Sequence, residues 1–209
     1  MNYIENIFIC LTAPLLVAVL CLRGTRRRLV LFLLAGMTAC LFSSYISTFI
    51  AAALRTDRLS ASLEIAPMVE EIMKLFPLLF YLIVFEPRVE DASGSMLMIA
   101  VGFATFENVC YLTTNGAASV MHLLVRGFGT GAMHVVCGAV VSLGLFYLWD
   151  RLWLRAAGTV GLLSLAITYH GVYNILVSQT GPAAVVGYAI PLLTAVLLSI
   201  TLMKAQHSD

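Results

Sequence analysis

The sequence predicts an all-α, polytopic bundle of about seven transmembrane helices, and three observations lead there. Of 209 residues, 61% are hydrophobic and only 11% are charged. Mean hydropathy is +0.97. The apolar residues fall into seven runs of roughly the 20 residues that a helix needs to cross a bilayer, with short polar breaks between them. A water-soluble domain of this length cannot hide so much apolar surface in one core, whereas a chain dissolved in lipid has no need to. The formal net charge of +1 makes no case for a nucleic-acid or polyanionic partner. Without a linker, repeat or low-complexity tract, residues 1–209 form a single integral membrane domain.

The first run, 6–22, has no basic segment ahead of it, and its only early charge is Glu5. Arg23, Arg26, Arg27 and Arg28 follow it instead, an order that suits a retained helix rather than a cleaved leader. The remaining runs are 29–54, 63–85, 95–114, 128–148, 156–178 and 182–203. The breaks carry Arg55, Asp57 and Arg58; Glu86 to Ser95; Asn115 and Gly116; Trp149 to Arg155; and Gly181 with Pro182.

Lys and Arg set the orientation, because cytoplasmic loops retain positive charge. The loops after spans one, three and five, with the tail, carry Arg23, Arg26, Arg27, Arg28, Arg88, Arg151, Arg155 and Lys204. The other side carries Arg55 and Arg58. This split places the N-terminus outside and the C-terminus in the cytoplasm, in a multi-pass protein of the cell membrane. The five cysteines lie inside apolar runs without a CxxC pair, and are expected to pack as small hydrophobes. A glycine stripe, Gly127, Gly131 and Gly138, is expected to permit close helix packing.

Ionisable groups in hydrocarbon are costly, and this chain places several there: Glu70, Glu71, Lys74, Glu107, His134 and His170, accompanied by Asn108 and Asn174. Arg126 lies at the edge of span five. The pairs Glu70 and Lys74, Phe103 and Glu107, and His170 and Asn174 are each four residues apart and so share a helix face. Arg126, Thr130 and His134 form one stripe if the fifth helix reaches back that far. At about 1.5 Å per residue, Glu70, Glu107, His134 and His170 all lie about 9–12 Å from the outer ends of their spans. Four helices of alternating direction need not agree in this way, and their agreement predicts one site open toward the outer face. His122 and His207, in a loop and the tail, are assigned no role.

The chemistry of this set is hydrolytic. Three carboxylates (Glu70, Glu71, Glu107) face two cations (Lys74, Arg126) and two imidazoles in a low dielectric. A glutamate there suits the role of general base on water. His and Asn donors suit an oxyanion formed on a peptide carbonyl, and Lys74 would orient its neighbouring glutamate. HExxH and GxSxG motifs are absent, and no aspartate falls within a predicted span. What remains is a glutamate-led site or a metal held by Glu and His. Two rivals from other classes are a proton-coupled transporter and a non-catalytic scaffold.

Four motifs in order carry a resemblance: Glu70-Glu71-x-x-Lys74; Phe103-x-x-x-Glu107-Asn108; His134, preceded by Arg126; and His170-x-x-x-Asn174. At these residues the sequence resembles the PrsW family of bacterial glutamic-type intramembrane proteases, related to the CAAX prenyl protease and bacteriocin-processing superfamily. The resemblance covers about residues 60–178, the four helices expected to form the catalytic core. It implies peptide-bond hydrolysis without a metal or other cofactor. Glu70 or Glu71 would activate water, with His134 and His170 assisting it or binding the oxyanion and Asn174 alongside. The implied partner is a membrane-anchored protein, such as an anti-sigma factor, cut on its extracytoplasmic side. Glu107 stands where the prenyl-protease branch uses His. The rival metallohydrolase would use His134, His170 and Glu107.

Overall fold

A computed structural model describes residues 4–87, 89–116, 119–149 and 151–206. Arg88, Asp150 and His207 lie outside the described residues, as does the side chain of Lys204. All the regular structure described is helical. The helices are α1 (Ile4–Cys21), α2 (Gly24–Leu54), α3 (Arg58–Ser60), α4 (Ala66–Phe85), α5 (Val89–Asn115), α6 (Val120–Leu148), α7 (Leu152–Val177) and α8 (Pro182–Gln206), with a π-turn at Ala61–Ile65. Six of the described helices are long and apolar enough to cross a membrane. The other long helix, α4, spans 20 residues but carries Glu70, Glu71 and Lys74. The chain is therefore a multi-pass membrane protein.

Helix starts differ from the hydropathy reading in one direction. α5 begins at Val89 rather than 95, and α6 at Val120 rather than 128. Apolar content locates the hydrocarbon layer, whereas backbone hydrogen bonding carries a helix beyond it into the headgroup region. Asp91, assigned to a loop by its charge, is thus helical, and it pairs with Arg28 at 2.9 Å. Arg28 also donates to the Tyr81 hydroxyl at 3.1 Å, tying α2, α4 and α5 together at one end of the bundle. Most of the segment 115–127 is helix. Ser119 caps α6 by accepting from the His122 N–H at 3.1 Å, and Arg126 stands on the second turn.

The segment leading into α4 is continuous helix of two kinds. Asp57 caps α3, accepting from the backbone N–H groups of Leu59 and Ser60 at 2.9 and 3.1 Å. Pro67 then supplies no N–H for the Leu63 carbonyl, and its ring crowds that carbonyl. The widened π-turn at Ala61–Ile65 accommodates the conflict. Glu70 and Glu71 therefore lie well inside a helical stretch that begins at Arg58, not in its first turn.

The tightest helix crossing is not at the expected glycine stripe. A Cβ at Gly127 or Gly131 would meet nothing within 4 Å, and one at Gly138 would approach the Ala100 methyl at 3.0 Å. α2 and α5 instead cross at Gly36 and Gly102. A Cβ on Gly36 would collide with the backbone of Ile99, and one on Gly102 with the backbone of Leu33. Lipid supplies no hydrophobic drive between helices, so such close backbone approach stabilises the pair by dispersion. The buried core beside this crossing comprises Leu78, Leu82, Met96, Ile99, Val141 and Leu145. A second apolar cluster joins Met37, Cys40, Phe103 and Phe106 to α1. All five cysteines are free.

Candidate functional site

Four helices bring the polar residues together at the end of the bundle formed by the α2–α3, α5–α6 and α7–α8 connections. α4 contributes Glu70 and Glu71 from its second turn and Lys74 from its third. α5 contributes Glu107 and Asn108 near its C-terminal end. α6 contributes Arg126, Thr130 and His134 along one stripe, and α7 contributes His170 and Asn174. The residues singled out from the sequence thus share one region, although they do not all make the same kind of contact.

The buried members form a chain of paired groups. Arg126 Nη2 donates to Glu107 Oε1 at 3.2 Å. Glu107 Oε2 lies 2.6 Å from His134 Nε2. His134 Nδ1 lies 2.9 Å from Lys74 Nζ, which also donates to Glu71 Oε1 at 2.6 Å. That same carboxylate oxygen lies 2.7 Å from His170 Nδ1. Lys74 and His134 are 0% exposed, Glu71 is 1% and His170 is 3%, so these partners replace water entirely. The two imidazoles meet edge to face with centroids 5.1 Å apart, and the Phe103 ring packs against His134 at 5.0 Å.

The adjacent glutamates differ. Glu71 accepts from both Lys74 and His170 and is sealed in. Glu70 makes no hydrogen bond among the described residues, and its Oε2 lies 3.8 Å from His170 Nε2. It lines a cavity of about 310 Å3 together with Ser62, Glu107, Arg126, His170 and Asn174. His134, Lys74 and Glu71 stand behind that wall. Among the described residues, the cavity presents the Glu70 carboxylate, which makes no hydrogen bond, beside His170, Arg126 and Asn174.

The supporting residues find distinct partners. Asn108 accepts from Arg126 in a short hydrogen bond. Asn174 donates to the Ser62 carbonyl at 3.0 Å, fastening α7 to the π-turn. The sequence reading passed over two residues. Tyr111 lies under the Arg126 guanidinium, 3.5 Å from ring centroid to Cζ, and Tyr173 bonds Thr130 at 2.8 Å. Both were detectable as continuations of known stripes, Tyr111 four residues after Glu107 and Tyr173 three after His170.

The donor atoms of Glu70, His134 and His170 lie within 4.8 Å of one another. Glu70, rather than Glu107, completes this cluster. A model of the PrsW family, described as intramembrane metalloprotease, matches residues 24–202. No curated protein and no solved structure matches. The family description implies a metal, and one carboxylate with two imidazoles is a ligand set that zinc accepts. A ligating histidine, however, offers one nitrogen lone pair and donates its other N–H. His134 meets an ammonium at Nδ1 and a carboxylate at Nε2. Both ring nitrogens are thus engaged, Nδ1 by the ammonium and Nε2 by the carboxylate, and neither offers an ion a free lone pair. The residues as arranged do not fit the ion, and no step below runs through one.

Proposed function

The chain belongs to the PrsW family of intramembrane proteases, and from that premise we propose an endopeptidase that cuts a membrane-anchored protein with a glutamate-activated water. One observation carries this reading: among the described residues Glu70 is the cavity-lining carboxylate without a hydrogen bond, 3.8 Å from His170 Nε2, while Glu71 accepts from both Lys74 and His170. Glu70 is the general base, and Glu71 orients His170 and pairs with Lys74.

Water held between Glu70 and His170 Nε2 gives a proton to Glu70 as its oxygen attacks the scissile carbonyl carbon. The second amide hydrogen of Asn174 serves the resulting oxyanion, its first being committed to Ser62. The intermediate collapses, the C–N bond breaks, and Glu70 returns the proton to the leaving amine. His134 acts behind the wall, holding Glu107 and with it Arg126. This departs from the direct oxyanion role that the resemblance implied for it.

The excess of Lys and Arg on the opposite connections supports an N-terminus outside, a cytoplasmic C-terminus and a cavity that opens toward the outer leaflet. Residues 60–178 act as the catalytic core. An anti-sigma factor of a bacterial cell membrane is the substrate the family resemblance supports. The test is cleavage of a membrane-anchored peptide library by purified protein, compared with Glu70→Gln, Glu71→Gln and His134→Ala, with and without chelator. The expected result is cleavage that chelator does not alter and Glu70→Gln abolishes. Full activity in Glu70→Gln would overturn the assignment. Ion flux in liposomes without cleavage would support a transporter.

A further inference from the structure

Lys74 is wholly buried, and its contacts are Glu71 Oε1 at 2.6 Å, His134 Nδ1 at 2.9 Å and the face of the Phe103 ring at 5.2 Å. An ammonium has three N–H donors and no lone pair. Nδ1 of His134 must therefore accept. An imidazole that accepts at Nδ1 carries its proton on Nε2. Nε2 lies 2.6 Å from Glu107 Oε2, which can only accept, and the other Glu107 oxygen takes Arg126. A doubly protonated ring would set Nδ1–H against the ammonium. One assignment satisfies every group from Arg126 to His170.

His170 takes the opposite form. Its Nδ1–H donates to Glu71, so that the neutral ring keeps its lone pair at Nε2, on the side of Glu70 and the cavity. The two histidines therefore differ in what they offer: the neutral His170 ring keeps a free lone pair at Nε2, whereas the single lone pair of His134, at Nδ1, is taken by Lys74.

We propose that Lys74 fixes His134 as the Nε2–H tautomer and thereby denies the Glu70–His134–His170 cluster its third lone pair, so that it does not take up a divalent cation such as zinc. Lys74 is a positioning residue that acts through His134. The inference rests on the reading of this cluster as the protease site, but its chemistry requires no substrate.

The test uses full-length protein labelled with 15N at histidine. The His134 signals are assigned by comparison with His134→Gln, and Co(II) is titrated as a spectroscopic stand-in for zinc. Wild type is expected to show His134 protonated at Nε2 and no stoichiometric Co(II) absorption. Lys74→Arg, whose guanidinium also lacks a lone pair, is expected to keep both properties. The paired variant Lys74→Met with Glu71→Gln removes the ion pair together, frees Nδ1 to carry the proton, and is expected to bind Co(II) at least tenfold more tightly. If the paired variant does not fold, the wild-type spectrum and titration decide. Wild-type His134 protonated at Nδ1, or tight stoichiometric Co(II) in wild type, would overturn the proposal. Wild type with the expected tautomer and no Co(II), yet no cleavage of any substrate, refutes the protease reading alone. Cleavage that requires Co(II) or zinc refutes this inference and leaves the peptidase.

Discussion

The two halves of α6 occupy one stripe, buried from Thr130 to Leu145, but they are built on different principles. Toward its N-terminal end the stripe reads Arg126, Thr130, His134; beyond that it continues as Cys137, Val141, Leu145. His134 is 0% exposed, and Cys137, Val141 and Leu145 are each 1%. The apolar half needs only shape, and any well-fitting side chain satisfies it. The polar half is stable only because each donor meets an acceptor, so one missing partner leaves a buried group unsatisfied. On this stripe the charged and imidazole groups lie in the half beside the cavity, and the other half packs into the apolar core.

Substitutions can break this comparison, and the largest effect is expected at the cavity wall. Glu70→Gln should lower cleavage by roughly 10²–10⁴-fold, the usual contribution of a general base. Because Glu70 bonds no described residue, its thermal unfolding should match wild type. Glu71→Gln should do the reverse in emphasis: an uncompensated buried Lys74 costs about 3–5 kcal/mol, read by denaturant unfolding in detergent. In the apolar half, Leu145→Ala should cost about 2–5 kcal/mol with the cleavage rate per folded molecule unchanged. A rate loss there would show that the halves are not separable.

Gly102→Ala tests the scaffold outside α6. Its methyl would meet the Leu33 backbone rather than a flexible side chain, and overpacking of this kind costs about 1–3 kcal/mol. The smallest effect is expected at Asp57, which is exposed. Its carboxyl is held below the usual aspartate range, chiefly by the Ser60 hydroxyl and then by the Ser60 backbone N–H. The cap is thus fully present above the ordinary aspartate range and is lost as pH falls through the lowered value. Asp57→Ala should slightly destabilise the protein at neutral pH and flatten the acid limb of its unfolding profile.

Much of this was legible in the sequence. Helical spacing and depth brought Glu70, Glu107, His134 and His170 to one level, because both follow from a fixed rise per residue. The choice between Glu70 and Glu71 was not legible. Neighbouring residues on a helix differ by about 100° in direction, and only the positions of α5, α6 and α7 decide which one faces the cavity. The α2–α5 crossing was hidden for a similar reason. Gly36 and Gly102 lie on different helices, with no GxxxG spacing to mark them, whereas the visible stripe at Gly127 and Gly131 faces open space. The tautomer of His134 depends on Lys74, sixty positions away in sequence.

The charges on α4 also bear on how the protein is made. Isolated at the centre of a bilayer, a charged side chain costs roughly 2.5–3.5 kcal/mol, and each large aliphatic or aromatic residue returns about 0.3–0.6. Taken as isolated charges, Glu70, Glu71 and Lys74 would together outweigh the apolar residues around them, and the Glu71–Lys74 pair within α4 offsets part of that cost. Glu71 and Lys74 neutralise each other within α4, but the partners of this group on α5, α6 and α7 are synthesised later, so α4 gains its full set of polar contacts only once His170 has been made.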